Sequence, residues 1–250
     1  AEGANAVDTI VKLLGDAEIQ AMFVDEARLQ GYLDHPNIVQ IYDFGEDQGA
    51  YYMAMEFVPG ATLRWVIDNA VAVKRPIPIA HALRIAADVL AALHFAHRRR
   101  DEKGHPLGLV HRDISPVNIL VSRTGTAKLC DFGVAKSELQ SVLTQVGVVK
   151  GKFRYMAPEQ IKGQGIDHRV DLFAVGLCLW EMLTGRRVFH QNSDEGVVAA
   201  IRRGKFPAAG KFASHKREFI SSTVQAWRLA AGQGSRRRLS GCKAGTHRPS

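Results

Sequence analysis

Three hard-oxygen side chains stand at short intervals near the middle of this 250-residue chain. Asp113 lies in the run His111-Arg112-Asp113-Ile114-Ser115-Pro116-Val117-Asn118-Ile119-Leu120. Asn118 follows five residues later, and Asp131, which opens Asp131-Phe132-Gly133, comes thirteen residues after that. A positioned carboxylate can orient an attacking hydroxyl and take its proton. A second carboxylate and a carboxamide offer the hard oxygen ligands that magnesium prefers. The triplet Ala157-Pro158-Glu159 completes the set.

In this order and at these spacings, H-R-D-x-x-x-x-N, D-F-G and A-P-E resemble the protein kinase family in its bacterial Ser/Thr style. The resemblance runs from about Ala6 to Pro207, roughly four-fifths of the chain. It implies a bilobal α+β fold with a reduced N-terminal lobe and an incomplete, mainly helical C-terminal lobe. The expected parts are a partial N-lobe and hinge over 1–58, a C-lobe over 59–210, and a basic tail over 211–250. It also implies ATP and magnesium as cofactors and proteins bearing Ser or Thr as substrates. Asp113 would be the base, with Asn118 and Asp131 as metal and cofactor ligands. Phe23-Val24-Asp25-Glu26-Ala27-Arg28 looks like the helix whose Glu pairs with the catalytic Lys, which makes Glu26 that Glu. Met55-Glu56-Phe57-Val58 looks like the hinge that binds adenine through backbone groups, and Leu120 like the floor beneath it. Asp171 with Gly176 resembles the helix that braces the catalytic loop. Tyrosine-directed members usually carry Arg just after H-R-D; Ile114-Ser115-Pro116-Val117 has none, so Ser/Thr specificity is expected. Arg112 implies control by a phosphate on the activation loop, with Thr144 the first candidate and Ser137 and Ser141 behind it.

Several positions depart from the family pattern. Ser115 stands where most Ser/Thr kinases have Lys, and Lys152 where they have Thr. These side chains meet in the family, so Lys152 is expected to bring the cation from the opposite side. No G-x-G-x-x-G precedes Glu26, and Asn5-Ala6-Val7-Asp8 looks like the family's strand with Asp8 where the catalytic Lys belongs; Lys12 is the only nearby Lys and would need a shortened connection. An Asp there would repel both the ATP phosphates and Glu26, by several kcal/mol at ~4 Å and an effective dielectric of ~20. Activity is therefore expected to be no more than a trace. The alternative is a pseudokinase or kinase fragment that acts as a binding module. Past Pro207 the family's remaining helices, and the Arg that should pair with Glu159, are not recognisable. An abrupt change of this kind is what a reading-frame shift would leave.

The elements that must position these residues follow from periodicity. Asp16–Leu33 reads as one helix, with Ile19, Met22, Phe23, Ala27 and Leu29 at helical spacing. Ile38–Phe44 and Tyr51–Phe57 read as strands around a turn at Gly45–Gly49. Pro59-Gly60 reads as a break, Thr62–Asn69 as a short helix, and Ile79–His97 as a longer one. After a basic loop, Arg98–Gly108, come the short apolar runs Ile119–Val121 and Ala127–Leu129. Val134–Tyr155 reads as irregular and Val170–Thr184 as a buried helix. Beyond Pro207 only Phe219–Leu229 has helical character.

Composition narrows the alternatives. With 46% hydrophobic residues the chain can bury a core. The formal net charge of +8 resides in residues 211–250, which hold nine Lys or Arg against one acid, Glu218. The tail reads as solvated and disordered, and no specific nucleic-acid partner is expected. No run approaches the roughly 18 apolar residues of a membrane span, and no signal peptide is visible. Cys130, Cys178 and Cys242 form no C-x-x-C pair, which fits a reducing cytoplasm. The sequence leaves the oligomeric state open.

Overall fold

The computed structural model describes residues 31–47, 50–132, 152–163, 165–191 and 193–204. All belong to one compact unit, Ala1–Phe206; a second unit comprises Pro207–Ser250. Glu26, Asp8, Thr144, most of the first expected helix and the tail lie outside the described residues.

Strands β1 (Ile41–Asp47) and β2 (Ala50–Met55) form an antiparallel hairpin, with Ile41 opposite Met55 and a register irregularity between Ile41 and Asp43. Both strands start and end away from the expected limits. Ile38 and Val39 are buried, but they join the second sheet: the Val39 N–H donates to the Leu129 carbonyl at 2.9 Å, and Ile38 makes an isolated parallel bridge to Leu129. At the other end, Phe57 lies beyond β2 and is 85% exposed.

The second sheet has three antiparallel strands in the order β3 (Gly60–Thr62), β4 (Ile119–Ser122), β5 (Ala127–Leu129). Strand β3 corrects the expected break at Pro59-Gly60. A Cβ at position 60 would lie 2.0 Å from the Val121 carbonyl oxygen. The glycine is therefore what lets β3 approach β4, and does not mark an interruption.

Helix α1 (Leu63–Ala72) begins where Thr62 caps the Trp65 N–H at 3.2 Å. Helix α2 (Ile79–His97) has the predicted limits, and the short α3 (Pro158–Lys162) follows a 3-10 turn at Lys152–Tyr155. Helix α4 (Arg169–Thr184) is buried on nearly every face. Helix α5 (Asp194–Arg203) was not among the expected elements. Its signal is local: Ser193 caps the Gly196 N–H at 3.1 Å, acids fill the first turn and arginines the last.

The core is centred on α2 against α4 and β5. Alanines 82, 86, 92 and 96 on the buried face of α2 allow close approach, while Ile85, Val89 and Leu93 fill the interface. Each such large side chain contributes roughly 1.5–3 kcal/mol on burial. Among the described residues, α2 is the one helix long and apolar enough to cross a membrane; here it is the central core helix.

Candidate active site

The loop from His111 to Asn118 is anchored by one buried carboxylate. Asp171, in the first turn of α4, is 1% exposed. Its Oδ2 accepts the His111 N–H at 2.9 Å and lies 2.8 Å from His97 Nε2; its Oδ1 accepts the Arg112 N–H at 2.8 Å. Such buried carboxylates persist only when fully bonded. The bonds hold Arg112 at φ +64°, a left-handed conformation that is costly for a residue with a Cβ.

His111 is fully buried, and its ring packs on Phe132 at 4.6 Å. Its Nδ1 accepts the Asp113 N–H at 3.3 Å, so the proton sits on Nε2, which donates to the Cys130 carbonyl at 3.1 Å. One imidazole thus ties the Asp113 amide to the carbonyl of the residue before Asp131.

Asn118 closes the loop. Its Nδ2 donates to the Asp113 carbonyl at 2.8 Å, which leaves the amide oxygen as the group's remaining acceptor. The Asn118 carbonyl accepts the Cys130 N–H at 3.0 Å, and Cys130 Sγ lies 3.4 Å from that carbonyl and 3.5 Å from Asp131 Oδ2. The segments bearing Asp113, Asn118 and Asp131 are therefore tied directly to one another. Asp131 is exposed, at φ +56°, while the next residue, Phe132, is buried. Among the described residues no group of three or more His, Cys, Asp or Glu could hold a metal. A pair of one carboxylate and one carboxamide suits magnesium, which takes few protein ligands and completes its shell with phosphate and water oxygens.

The expected hinge begins at Met55, the last residue of β2, and continues past the strand. The Glu56 carboxylate turns away from the chain path, to Lys128 Nζ at 2.8 Å and the Gln40 N–H at 3.3 Å; its own N–H bonds the Gln40 carbonyl at 2.8 Å. Leu120 on β4 pairs with Lys128 on β5, and cross-strand partners share a face. Because Lys128 reaches Glu56, Leu120 lies on the hinge side of the sheet. Met55 is 45% exposed, so it lines open space and does not fill the core. Lys152 opens the 3-10 turn.

A second buried carboxylate organises the end of the activation segment, and the sequence reading missed it. Glu181, 2% exposed in α4, accepts the Tyr155 hydroxyl at 2.5 Å and Arg64 Nη1 at 2.5 Å, with Arg187 Nε at 3.6 Å. Burial raises the Tyr155 phenol above its ordinary value, and the Glu181 charge adds to this. Burial pulls the Arg64 guanidinium down, but its bonds to Glu181 and Asp68 outweigh this and raise it. The Arg64 N–H also donates to the Pro116 carbonyl at 2.8 Å. The signal was available: Glu181 is the single acid in the run Leu172–Thr184, and a charge inside an all-round apolar helix needs a buried partner.

Comparison with known proteins agrees with this geometry. The sequence profile of the protein kinase domain matches residues 5–228, well over half of the chain and beyond Pro207. The chain is 44% identical over 193 residues to the tyrosine-protein kinase MasK of Myxococcus xanthus, covering 77% of this chain and 30% of MasK. It is 36% identical over 235 residues to the serine/threonine-protein kinase PknB of Mycobacterium leprae, covering 90% of this chain and 35% of that protein. It is 35% identical over 198 residues to PrkC of Bacillus subtilis, covering 79% of this chain and 28% of that protein. The chain belongs to the protein kinase family, and it spans about a third of the length of these relatives.

Proposed function

We propose that this chain carries the centre that transfers the γ-phosphoryl group of ATP to Ser or Thr hydroxyls of proteins. The observation that carries the reading is the set of bonds around Asp113: Asp171 on the two preceding amides and Asn118 on the Asp113 carbonyl. Phosphoryl transfer needs positioning and charge neutralisation more than covalent chemistry. Asp113 orients the acceptor hydroxyl and takes its proton. Asn118 and Asp131 hold magnesium, which neutralises the phosphate charge when bound. Backbone groups of Glu56 and Val58 meet adenine above Leu120, beside Met55. Glu26 orients the phosphate-binding cation of the small lobe, which Lys12 would have to supply because Asp8 stands at the usual position, and Lys152 supplies the charge that Ser115 lacks. The domain works in a reducing compartment, the cytoplasm, where the free buried thiols Cys130 and Cys178 persist.

Ser/Thr rather than Tyr acceptance rests on Ile114–Val117, which carries no Arg. MasK bears a tyrosine-kinase name, so phosphoamino-acid analysis of the labelled product is the direct check.

The second reading, a binding module without turnover, rests on Asp8, which stands where the family has its catalytic Lys. Magnesium-dependent ATP binding by thermal shift, followed by radiolabel transfer to a generic Ser/Thr protein, separates the two. Transfer that falls at least ~100-fold in Asp113→Asn supports the enzyme. ATP binding without transfer supports the module. In an active chain, Lys152→Ala lowers turnover at least ~10-fold; an unchanged rate removes Lys152 from the site.

A further inference from the structure

The peptide unit between Arg112 and Asp113 immediately precedes the proposed base, and both of its polar groups are bonded. Its N–H, on Asp113, donates to His111 Nδ1 at 3.3 Å, and Asp171 fixes the amides of the two preceding peptide units, on His111 and Arg112. Its carbonyl, on Arg112, accepts a hydrogen bond from Gln160 Nε2 at 3.0 Å. The same carboxamide accepts the Ala157 N–H through Oε1 at 2.8 Å. Both partners are backbone groups of a single kind, one donor and one acceptor, so the orientation of the Gln160 amide follows without ambiguity. Gln160 occupies the third position of α3, directly after Ala157-Pro158-Glu159. It is half of a capping box: the side chain reaches back to the amide before the helix, while Ala157 has no side-chain acceptor to return the bond.

We infer that Gln160 is a positioning residue for phosphoryl transfer, whose carboxamide fastens the end of the activation segment to the strained peptide that carries Asp113. This rests on the kinase reading above. Arg112 sits at φ +64°, and such a conformation persists only where the surroundings over-determine it. Without Gln160, the carbonyl of that peptide loses its bond, and the peptide is left to the longer 3.3 Å bond from its N–H to His111, which permits it to tilt. Displacements near 1 Å at a reacting group cost about a hundredfold in rate. The link also gives the activation segment a direct mechanical connection to the base, separate from any phosphate on the loop.

The rival explanation is that Gln160 only caps α3. Gln160→Glu distinguishes the two. A carboxylate still accepts the Ala157 N–H, and a negative charge in a first helical turn is favourable. The donor to the Arg112 carbonyl is gone, and an acceptor faces an acceptor. Gln160→Leu removes both bonds and adds no repulsion. The full 250-residue chain is used in each form. Thermal midpoint, MgATP affinity, amide exchange across 109–118 with α2 and α4 as internal references, and kcat and KM for a Ser/Thr protein are measured.

The expected result for Gln160→Glu is a midpoint and MgATP affinity close to wild type. Exchange across 111–113 is about tenfold faster, and kcat falls about tenfold or more while KM holds. Gln160→Leu loosens the same amides and also lowers the midpoint. Wild-type exchange and wild-type kcat in Gln160→Glu overturn the inference and leave capping alone. If the unmodified chain transfers no phosphate, the kinase reading fails, but the exchange comparison still decides whether the strut exists. Unchanged exchange in both variants then overturns it.

Discussion

Two residues with a Cβ, Arg112 and Asp131, sit in the left-handed region within the proposed site; Arg112 directly precedes the proposed base, and Asp131 is itself a proposed magnesium ligand. Strain of this kind costs roughly 1–3 kcal/mol per residue and collects where geometry matters more than stability. Asp171 offsets part of it, since its two oxygens serve His97 and the amides of both His111 and Arg112. An amide in its place offers one acceptor oxygen and an NH2 that faces another donor. Asp171→Asn should therefore cost about 3 kcal/mol in urea unfolding. In an active chain it should also lower turnover more than tenfold with little change in MgATP affinity. A turnover loss no larger than the stability loss predicts would make Asp171 a purely structural anchor. Lys74 is a third left-handed residue, outside the site, just past the end of α1. Its N–H bonds the Val71 carbonyl at 3.1 Å and the next N–H bonds the Ala70 carbonyl at 2.9 Å, a helix-ending turn that glycine fits without strain, so Lys74→Gly should raise stability by about 0.5–1 kcal/mol.

At the scale of elements, Asp88 joins α2 to β5. This buried carboxylate accepts the Ala127 N–H at 3.0 Å and pairs with Arg84 at 3.0 Å. Asp88→Ala leaves the first amide of β5 without its acceptor and should destabilise by about 1–3 kcal/mol, while Asp88→Asn keeps an oxygen for that amide and should lose less. Chemical unfolding of the two variants side by side checks the ordering. Sequence reading succeeded for elements whose pattern is internal to them. Helix α2 carries seven buried apolar positions at helical spacing, and its limits matched. It failed where a neighbour decides. Gly60 reads as a chain break until β4 is placed 2.0 Å from its missing Cβ. Ile38 and Val39 read as the start of a strand in one sheet because nothing local shows that Leu129 will take them. In the site, the motif residues were legible because their types and spacing carry the chemistry. Gln160 and Glu181 were not, since each acts through a backbone or a partner distant in sequence. Of the expected site residues, the structure ties together the segments that bear Asp113, Asn118 and Asp131, and puts Glu56 and Leu120 on one side of the second sheet. Glu26 falls outside the described residues.

At the scale of the whole molecule, the buried ionisable groups set how stability depends on pH. His35 is held below its ordinary value by partial burial and then by the Lys128 charge, and its Nδ1 accepts the Asn37 N–H at 3.1 Å. The unfolded chain therefore binds the proton first as pH falls below about 6.5, and the stability contributed by the neutral ring is lost on the acid side. The alkaline side is governed by α4. Burial raises the Cys178 thiol well above 9.0, with the Glu181 charge adding to it. Burial raises the Tyr155 phenol well above 10.0, again with Glu181 second. Both groups stay neutral in the fold after the unfolded chain has ionised. The folded state then holds more protons than the unfolded one, so stability falls as pH rises. Each group adds a slope of about 1.4 kcal/mol per pH unit, the thiol from near pH 9 and the phenol from near pH 10. Tyr155→Phe removes the second slope while keeping the buried ring, and Cys178→Ala removes the first. Unfolding free energies at half-unit steps from pH 8 to 11 should show the wild-type curve steepening twice and each variant steepening once. Parallel curves for wild type and Tyr155→Phe above pH 10 would mean that the phenol ionises in the fold, and that Glu181 does not hold Tyr155 as drawn.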